Sequence, residues 1–267
     1  MEHFKKNAFA AVIFLLLVCL TFVSCSQKAP ADWSGNTETE AAVPASKGVG
    51  RKPQETEPEP TVDPIETRRF ICIDPGHGYV DGGCGEGFLG DYVEKDVTMM
   101  VARKLQEVLD GMGFKTVLTH DGVTPSRGDY DGNNVFSAKE RVPYINGLNP
   151  DYLISIHVNA FPDDETVSGV NLYYEQNGNK PNEWSEKITE SISNAIMNGK
   201  AETSKITIHN NYTLALTRDT ICAASLVEIG FCTNPEDAEN MLDEEWQYDL
   251  VRAIGMGIYN FFSEAEK

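Results

Sequence analysis

The chain has 267 residues, 41% of them hydrophobic, with 41 Asp and Glu against 22 Lys and Arg, for a formal net charge of −19. That length accommodates one or two domains. The acidic balance leaves no basic face to neutralise nucleic-acid phosphates or to attract an anionic membrane surface.

Residues 1–25 read as an export signal. Lys5 and Lys6 form a basic start, and Ala8 to Val23 is apolar and uncharged, shorter than the roughly 20 residues of a spanning helix. Phe22-Val23-Ser24-Cys25 resembles a bacterial lipobox, with phenylalanine where leucine is usual. Cys25 is therefore the candidate lipidation site, predicting an exported lipoprotein held at a membrane by its N-terminus. Ordinary cleavage giving a secreted protein, or an uncleaved anchor, are the alternatives. Residues 26–68 interleave Pro30, Pro44, Pro53, Pro58, Pro60 and Pro64 with Glu, Thr, Ala and Ser. They hold too little apolar surface to offset ordering entropy, so a disordered tether is expected there.

From residue 69 to 265 strand-like and helix-like segments alternate. Phe70 to Ile73 is a short buried strand ended by Asp74-Pro75-Gly76. Val97, Met100, Val101, Leu105 and Val108 repeat at helical spacing, with Gly111 and Gly113 closing the helix. Phe114 to Thr119 is a strand. Ser137 with Glu140 forms a capping box that opens a helix, which Pro143 is expected to kink. Tyr152 to Ile156 is a strand ending at His157, and Gly169 to Tyr174 is another. Trp184, Ile188, Ile192 and Ile196 mark a helix with one apolar stripe. Ser225 to Ile229 is the last strand, Asn234-Pro235 an N-cap and first helical position, and a helix covers roughly Trp246 to Phe262. The alternation predicts a single α/β domain with a mostly parallel, twisted central sheet flanked by helices.

His77, His157 and Glu228 each end or follow a predicted strand, and Glu94 opens the helix returning from the first strand's loop. Ligand sites in open α/β sheets lie outside the carboxyl ends of the strands, so these four are expected to converge. Two histidines and two glutamates supply three ligands for a catalytic zinc, which keeps one open position, and a further carboxylate to move a proton. Which glutamate does which is open at this point. His120 and His209 lack a partner carboxylate in a comparable setting and read as structural, and His3 belongs to the signal. Of the domain's cysteines, Cys72, Cys84, Cys222 and Cys232, none forms a Cys-x-x-Cys pair, which disfavours a cysteine zinc knuckle. Cys72 lies in an apolar strand and reads as a buried thiol; the pairing of the four is open.

Phe70 to Phe262 resembles the zinc-dependent N-acetylmuramoyl-L-alanine amidases of bacterial cell walls. The matching stretches are Asp74-Pro75-Gly76-His77-Gly78 with Asp81-Gly82-Gly83, Glu94-Lys95-Asp96-Val97, Ser155 to Ala160, and Leu226 to Phe231 with Asn234-Pro235. The resemblance implies one zinc held by His77, Glu94 and His157, with Glu228 as the catalytic carboxylate. It also implies peptidoglycan as substrate, hydrolysed between N-acetylmuramic acid and L-alanine by a protein facing the wall. Thr98 and His120 depart from the asparagine and arginine common at their positions, which bears on substrate contacts. Arg141 and Arg218 match recurrent arginines and are assigned structural roles. A zinc peptidase acting on stem peptides and an inactive peptidoglycan-binding protein are the alternatives; a monomer is expected, and the residues that bind substrate are not readable. Only Val158 to Ser168 separates His157 from the next strand, and it contains Pro162. That leaves little room for a helix reaching back over the metal, so an open zinc face, active without an activator, is expected.

Overall fold

The computed structural model describes residues 69–122, 137–175 and 183–265. The signal, Cys25 and the tether lie outside the described residues. Among the described residues, six strands form one sheet: β1 (Phe70–Pro75), β2 (Lys115–Leu118), β3 (Tyr152–Asn159), β4 (Val170–Tyr174), β5 (Ile206–Asn210) and β6 (Ala223–Phe231). Six helices accompany them: α1 (Glu94–Gly111), α2 (Ala138–Leu148), α3 (Trp184–Met197), α4 (Ala215–Asp219), α5 (Pro235–Leu242) and α6 (Glu244–Ala265). The strand order is β2-β1-β3-β6-β4-β5.

Strands β2, β1, β3 and β6 run parallel, β4 pairs antiparallel with β6, and β5 runs parallel to β4. The sheet is thus mostly parallel, as the alternation of elements predicts. The reversal follows from the connection between β3 and β4, which contains turns and no helix. A parallel strand needs a crossover of a dozen or more residues, usually helical. Without one, β4 enters the sheet running the other way.

Strand alternation divides the interior in two. Ile71, Ile73, Ile154, Ile156, Leu172 and Val227 share a core with Val97, Val101 and Leu105 of α1, Ile188 and Ile192 of α3, and Leu250, Ile254 and Ile258 of α6. Cys72, Leu153 and Ala224 point to the other side and meet Ile145 of α2, Leu216 of α4 and Cys222 in a smaller cluster. Period two in the strands makes this split.

Sequence reading locates the helices and buried strands and misses β5 and α4. The β5 residues Ile-Thr-Ile-His-Asn are only half-buried at a sheet edge, so their apolar signal is weak. The capping box is present, with Glu140 Oε2 accepting from the Ser137 amide at 2.9 Å. Helix α2 continues through Pro143 to Leu148, where Asn149 ends it at φ 49°. The last helix extends two residues earlier and three later than its apolar repeat, because polar end residues carry no periodic signal.

Helices α3 and α6 cross closely at Gly257. A Cβ there would sit 2.5 Å from Ile192 Cα and 2.7 Å from Ile192 N, backbone atoms that cannot step aside. Gly257→Ala is therefore expected to destabilise the domain by about 1–3 kcal/mol through overpacking, despite alanine's better helix propensity. Denaturant unfolding of the variant against wild type measures this; equal midpoints would contradict it.

Candidate metal centre

The loop from Gly76 to Val93 carries His77 to the carboxyl edge of the sheet. His77 and Tyr79 both adopt left-handed backbone, φ 61° and 53°, which costs a non-glycine residue about 1–2 kcal/mol. Surrounding hydrogen bonds hold the turn. Gly78 and Asp81 exchange backbone bonds at 2.9 and 3.0 Å, and the Tyr79 amide donates to Gly122 O at 3.0 Å. Lys95 Nζ donates to Tyr79 O at 2.7 Å. Arg141 Nη1 donates to Pro75 O at 2.7 Å, and Nη2 donates to His77 O. Thr98 Oγ1 donates to Gly76 O at 2.8 Å, so this departure from the common asparagine braces the loop.

The same loop supplies carbonyls to the start of α1. Glu94 N donates to Cys84 O at 2.8 Å and Lys95 N to Gly82 O at 3.1 Å, satisfying amides that a helix start leaves without intrahelical partners. This fixes Glu94 as the first residue of α1, with its side chain buried under the loop. Its Oε2 accepts from the Cys84 amide at 2.9 Å and its Oε1 from the Val158 amide at 2.9 Å. His77 Nε2 stands 3.2 Å from Oε2 and His157 Nδ1 3.0 Å from Oε1. One atom from each of His77, Glu94 and His157 lies within 4.8 Å of the others. The imidazole rings meet edge to face, 5.1 Å between centroids.

Two nitrogens and a carboxylate around a partly exposed position are the donor set of a catalytic zinc site, and they fit that ion. Asp81 strengthens the fit, because its Oδ2 accepts from His77 Nδ1 at 2.9 Å and leaves Nε2 available to bind a metal. Burial alone would lower the His77 pKa, but hydrogen bonds to Asp81 and Glu94 outweigh it and push it up to about 10. Burial likewise opposes ionisation of Glu94, yet the two histidines hold its carboxyl well below the usual range. Gly76 is required by proximity: a Cβ would lie 2.7 Å from His157 Nδ1 and from Ile156 O. Removing the Asp81 carboxylate by Asp81→Ala is expected to weaken metal affinity roughly 10- to 100-fold. Competition with a chromophoric chelator reads this out, and unchanged affinity would exclude the orienting role.

Glu228 stands in register beside His157, across the β3–β6 pair. Its Oε2 is buried and has no hydrogen-bond partner in the protein. Burial pushes its pKa up to about 7; His157 works against the shift and the Glu94 charge adds to it. An unpartnered carboxyl at that pKa, beside the three clustered candidate ligands, is equipped to pass a proton. The structure thus brings together all four residues expected at the edge. It leaves aside His120, whose Nε2 donates to Pro75 O at 2.8 Å, and His209, stacked on Tyr173 at 4.8 Å.

Beneath the loop lies a network that sequence reading misses. Asp74 is fully buried and accepts from Thr119 Oγ1 at 2.6 Å, Ser155 Oγ at 2.7 Å and Arg141 Nη1 at 3.1 Å. Its burial favours the neutral acid, but the Arg141 charge and the two hydroxyls keep its pKa below the usual value. Asp81 had a faint signal, four residues beyond His77. Asp74 and Arg141 had none that spacing could show, being 67 residues apart.

The family model described as N-acetylmuramoyl-L-alanine amidase matches residues 71–260. The germination-specific N-acetylmuramoyl-L-alanine amidase of Bacillus subtilis is 28% identical over 202 residues, covering 73% of this chain and 81% of the relative. The structure of N-acetylmuramoyl-L-alanine amidase AmiC2 of Nostoc punctiforme superposes with a TM-score of 0.60 at 26% identity, covering 74% of this chain and 98% of that one. The amidase of Clostridium difficile 630 shares the fold, with a TM-score of 0.62 at 24% identity over 73% of this chain and 97% of that one.

Proposed function

We infer the reaction from the premise that the chain belongs to the N-acetylmuramoyl-L-alanine amidase family. It hydrolyses the amide bond between N-acetylmuramic acid and the L-alanine of the stem peptide in peptidoglycan, and so works at the cell wall. The observation that carries this reading is the convergence of His77, Glu94 and His157 beside Glu228 at one open sheet edge.

His77 through Nε2, His157 through Nδ1 and the Glu94 carboxylate would hold one zinc. When bound, zinc lowers the pKa of a coordinated water to about 7 and polarises a carbonyl oxygen. Glu228 takes the proton of the attacking water and delivers it to the leaving amine nitrogen, without which an amide nitrogen departs poorly. Asp81 keeps the His77 ring in its ligating tautomer, and the Cys84 and Val158 amides orient the Glu94 carboxylate. No helix occurs between Asn159 and Val170, which supports an open site, active without an activator.

Domain boundaries at 1–25, 26–68 and 69–265, with lipid on Cys25 tethering the catalytic domain to the membrane, complete the proposal. They are supported by the sequence pattern. Cys25→Ala is expected to abolish fatty-acid labelling, and unchanged labelling would remove the anchor from the scheme.

Digestion of purified wall tests the reaction itself. Zinc-loaded protein should release a free lactyl carboxyl and a new L-alanine amine. New termini inside the stem peptide would show a peptidase, and wall binding without new termini an inactive binding protein.

A further inference from the structure

Cys84 lies in the loop between His77 and Glu94, and Cys232 follows β6 directly. Their Sγ atoms are 3.5 Å apart. We propose that these two residues are joined by a disulfide in the exported protein, clasping the metal-ligand loop to the strand that carries Glu228. The linkage does not depend on the amidase reading.

The geometry favours this pair. Cys232 is 1% exposed and Cys84 is half-buried, so an external disulfide meets Cys84 and Cys232 stands behind it to resolve the intermediate. Both backbones are already fixed. Cys84 accepts from Glu94 N and donates from its own amide to Glu94 Oε2, while Cys232 N donates to Asn159 O at 2.8 Å. The Cys84 sulfur is turned toward Val158 O at 3.2 Å. Joining the thiols closes 3.5 Å to the ~2.05 Å of an S–S bond. Cys72 and Cys222 occupy the separate core cluster with Ile145 of α2 and Leu216 of α4.

The reaction is thiol–disulfide exchange with a protein disulfide donor of the exported compartment. Cys84 forms a mixed disulfide with the donor, releasing one donor thiol, and Cys232 then attacks the Cys84 sulfur and releases the second. Two S–H bonds of this chain become one S–S bond, and the two protons and two electrons reside on the donor as a dithiol. Export, predicted by residues 1–25, supplies the oxidising setting in which such bonds persist. The bond would bridge 148 residues of sequence and pin the amide that Cys84 gives to Glu94.

Full-length protein, exported and isolated without reductant, is alkylated with iodoacetamide and digested for mass spectrometry. Peptides containing Cys84 and Cys232 should be recovered joined, and Cys72 and Cys222 separately. Adding reductant should lower the thermal midpoint by roughly 5–10 °C and speed loss of zinc to a chelator. In Cys232→Ser the midpoint should no longer respond to reductant. Recovery of Cys84 and Cys232 each alkylated, a cross-link between any other pair, or a wild-type midpoint indifferent to reductant would overturn the proposal.

Discussion

Glu228→Gln is expected to reduce turnover of purified wall by roughly a hundred- to ten-thousand-fold while leaving about one equivalent of zinc bound. The amide fills the carboxyl's space but neither accepts nor delivers the proton. The three proposed ligands remain, because Glu94 and not Glu228 sits between His77 and His157 at 3.2 and 3.0 Å. Metal analysis beside the kinetic assay separates the roles. Loss of zinc together with activity would mean that the two glutamates are exchanged, and full activity would remove Glu228 from the chemistry.

Arg141→Met should have the largest effect on the fold. It strands the fully buried Asp74 carboxylate without its ion-pair partner, a change that costs about 3–5 kcal/mol of the roughly 5–15 kcal/mol that hold a domain together. It also removes donors to Pro75 O and His77 O, so the left-handed turn at His77 relaxes and metal affinity falls with stability. Removing both charges in Asp74→Asn with Arg141→Met should cost less than the sum of the single changes. The pH dependence has a definite sign. The folded pKa of Asp74 is depressed below its unfolded value near 3.8, so this stabilisation is fully present above that value and is lost as pH falls through the folded pKa. Acid unfolding of wild type and the double variant measures it; identical acid profiles would show that Asp74 contributes nothing.

Residues that carry chemistry at strand ends were legible because an apolar run followed by His or Glu is a local pattern. The sequence pattern places His77, His157 and Glu228 at one edge, and Glu94 joins them through the helix start. The residues that aim and brace them were not legible in the same way. Arg141 acts across 67 positions on Asp74 and grips backbone carbonyls, which leave no mark on side-chain pattern. Cys84 contributes to the site through its amide, a role any residue but proline could fill. The reversal of β4 was hidden for a related reason: strand direction depends on where a connection leads, and the residues of Val170–Tyr174 read alike in either orientation.

That reversal bears on how this scaffold can be altered. Because β4 begins beside the end of β6, with Asn171 opposite Glu228, the turn from Phe161 to Ser168 lies at the mouth of the site. Its residues 161–166 are exposed, and it is tied to the domain by Phe161 N to Thr233 Oγ1 at 2.9 Å, Asn234 Nδ2 to Glu165 O at 2.8 Å and the Ser168–Ser204 hydroxyl pair at 2.6 Å. An insertion here would grow as a flap over the reaction centre while every rung of the strand ladder stayed in place. The turn between β3 and β4 is therefore a splice point at which a lid, a docking arm or a selectivity loop can be grafted without redesigning the catalytic core.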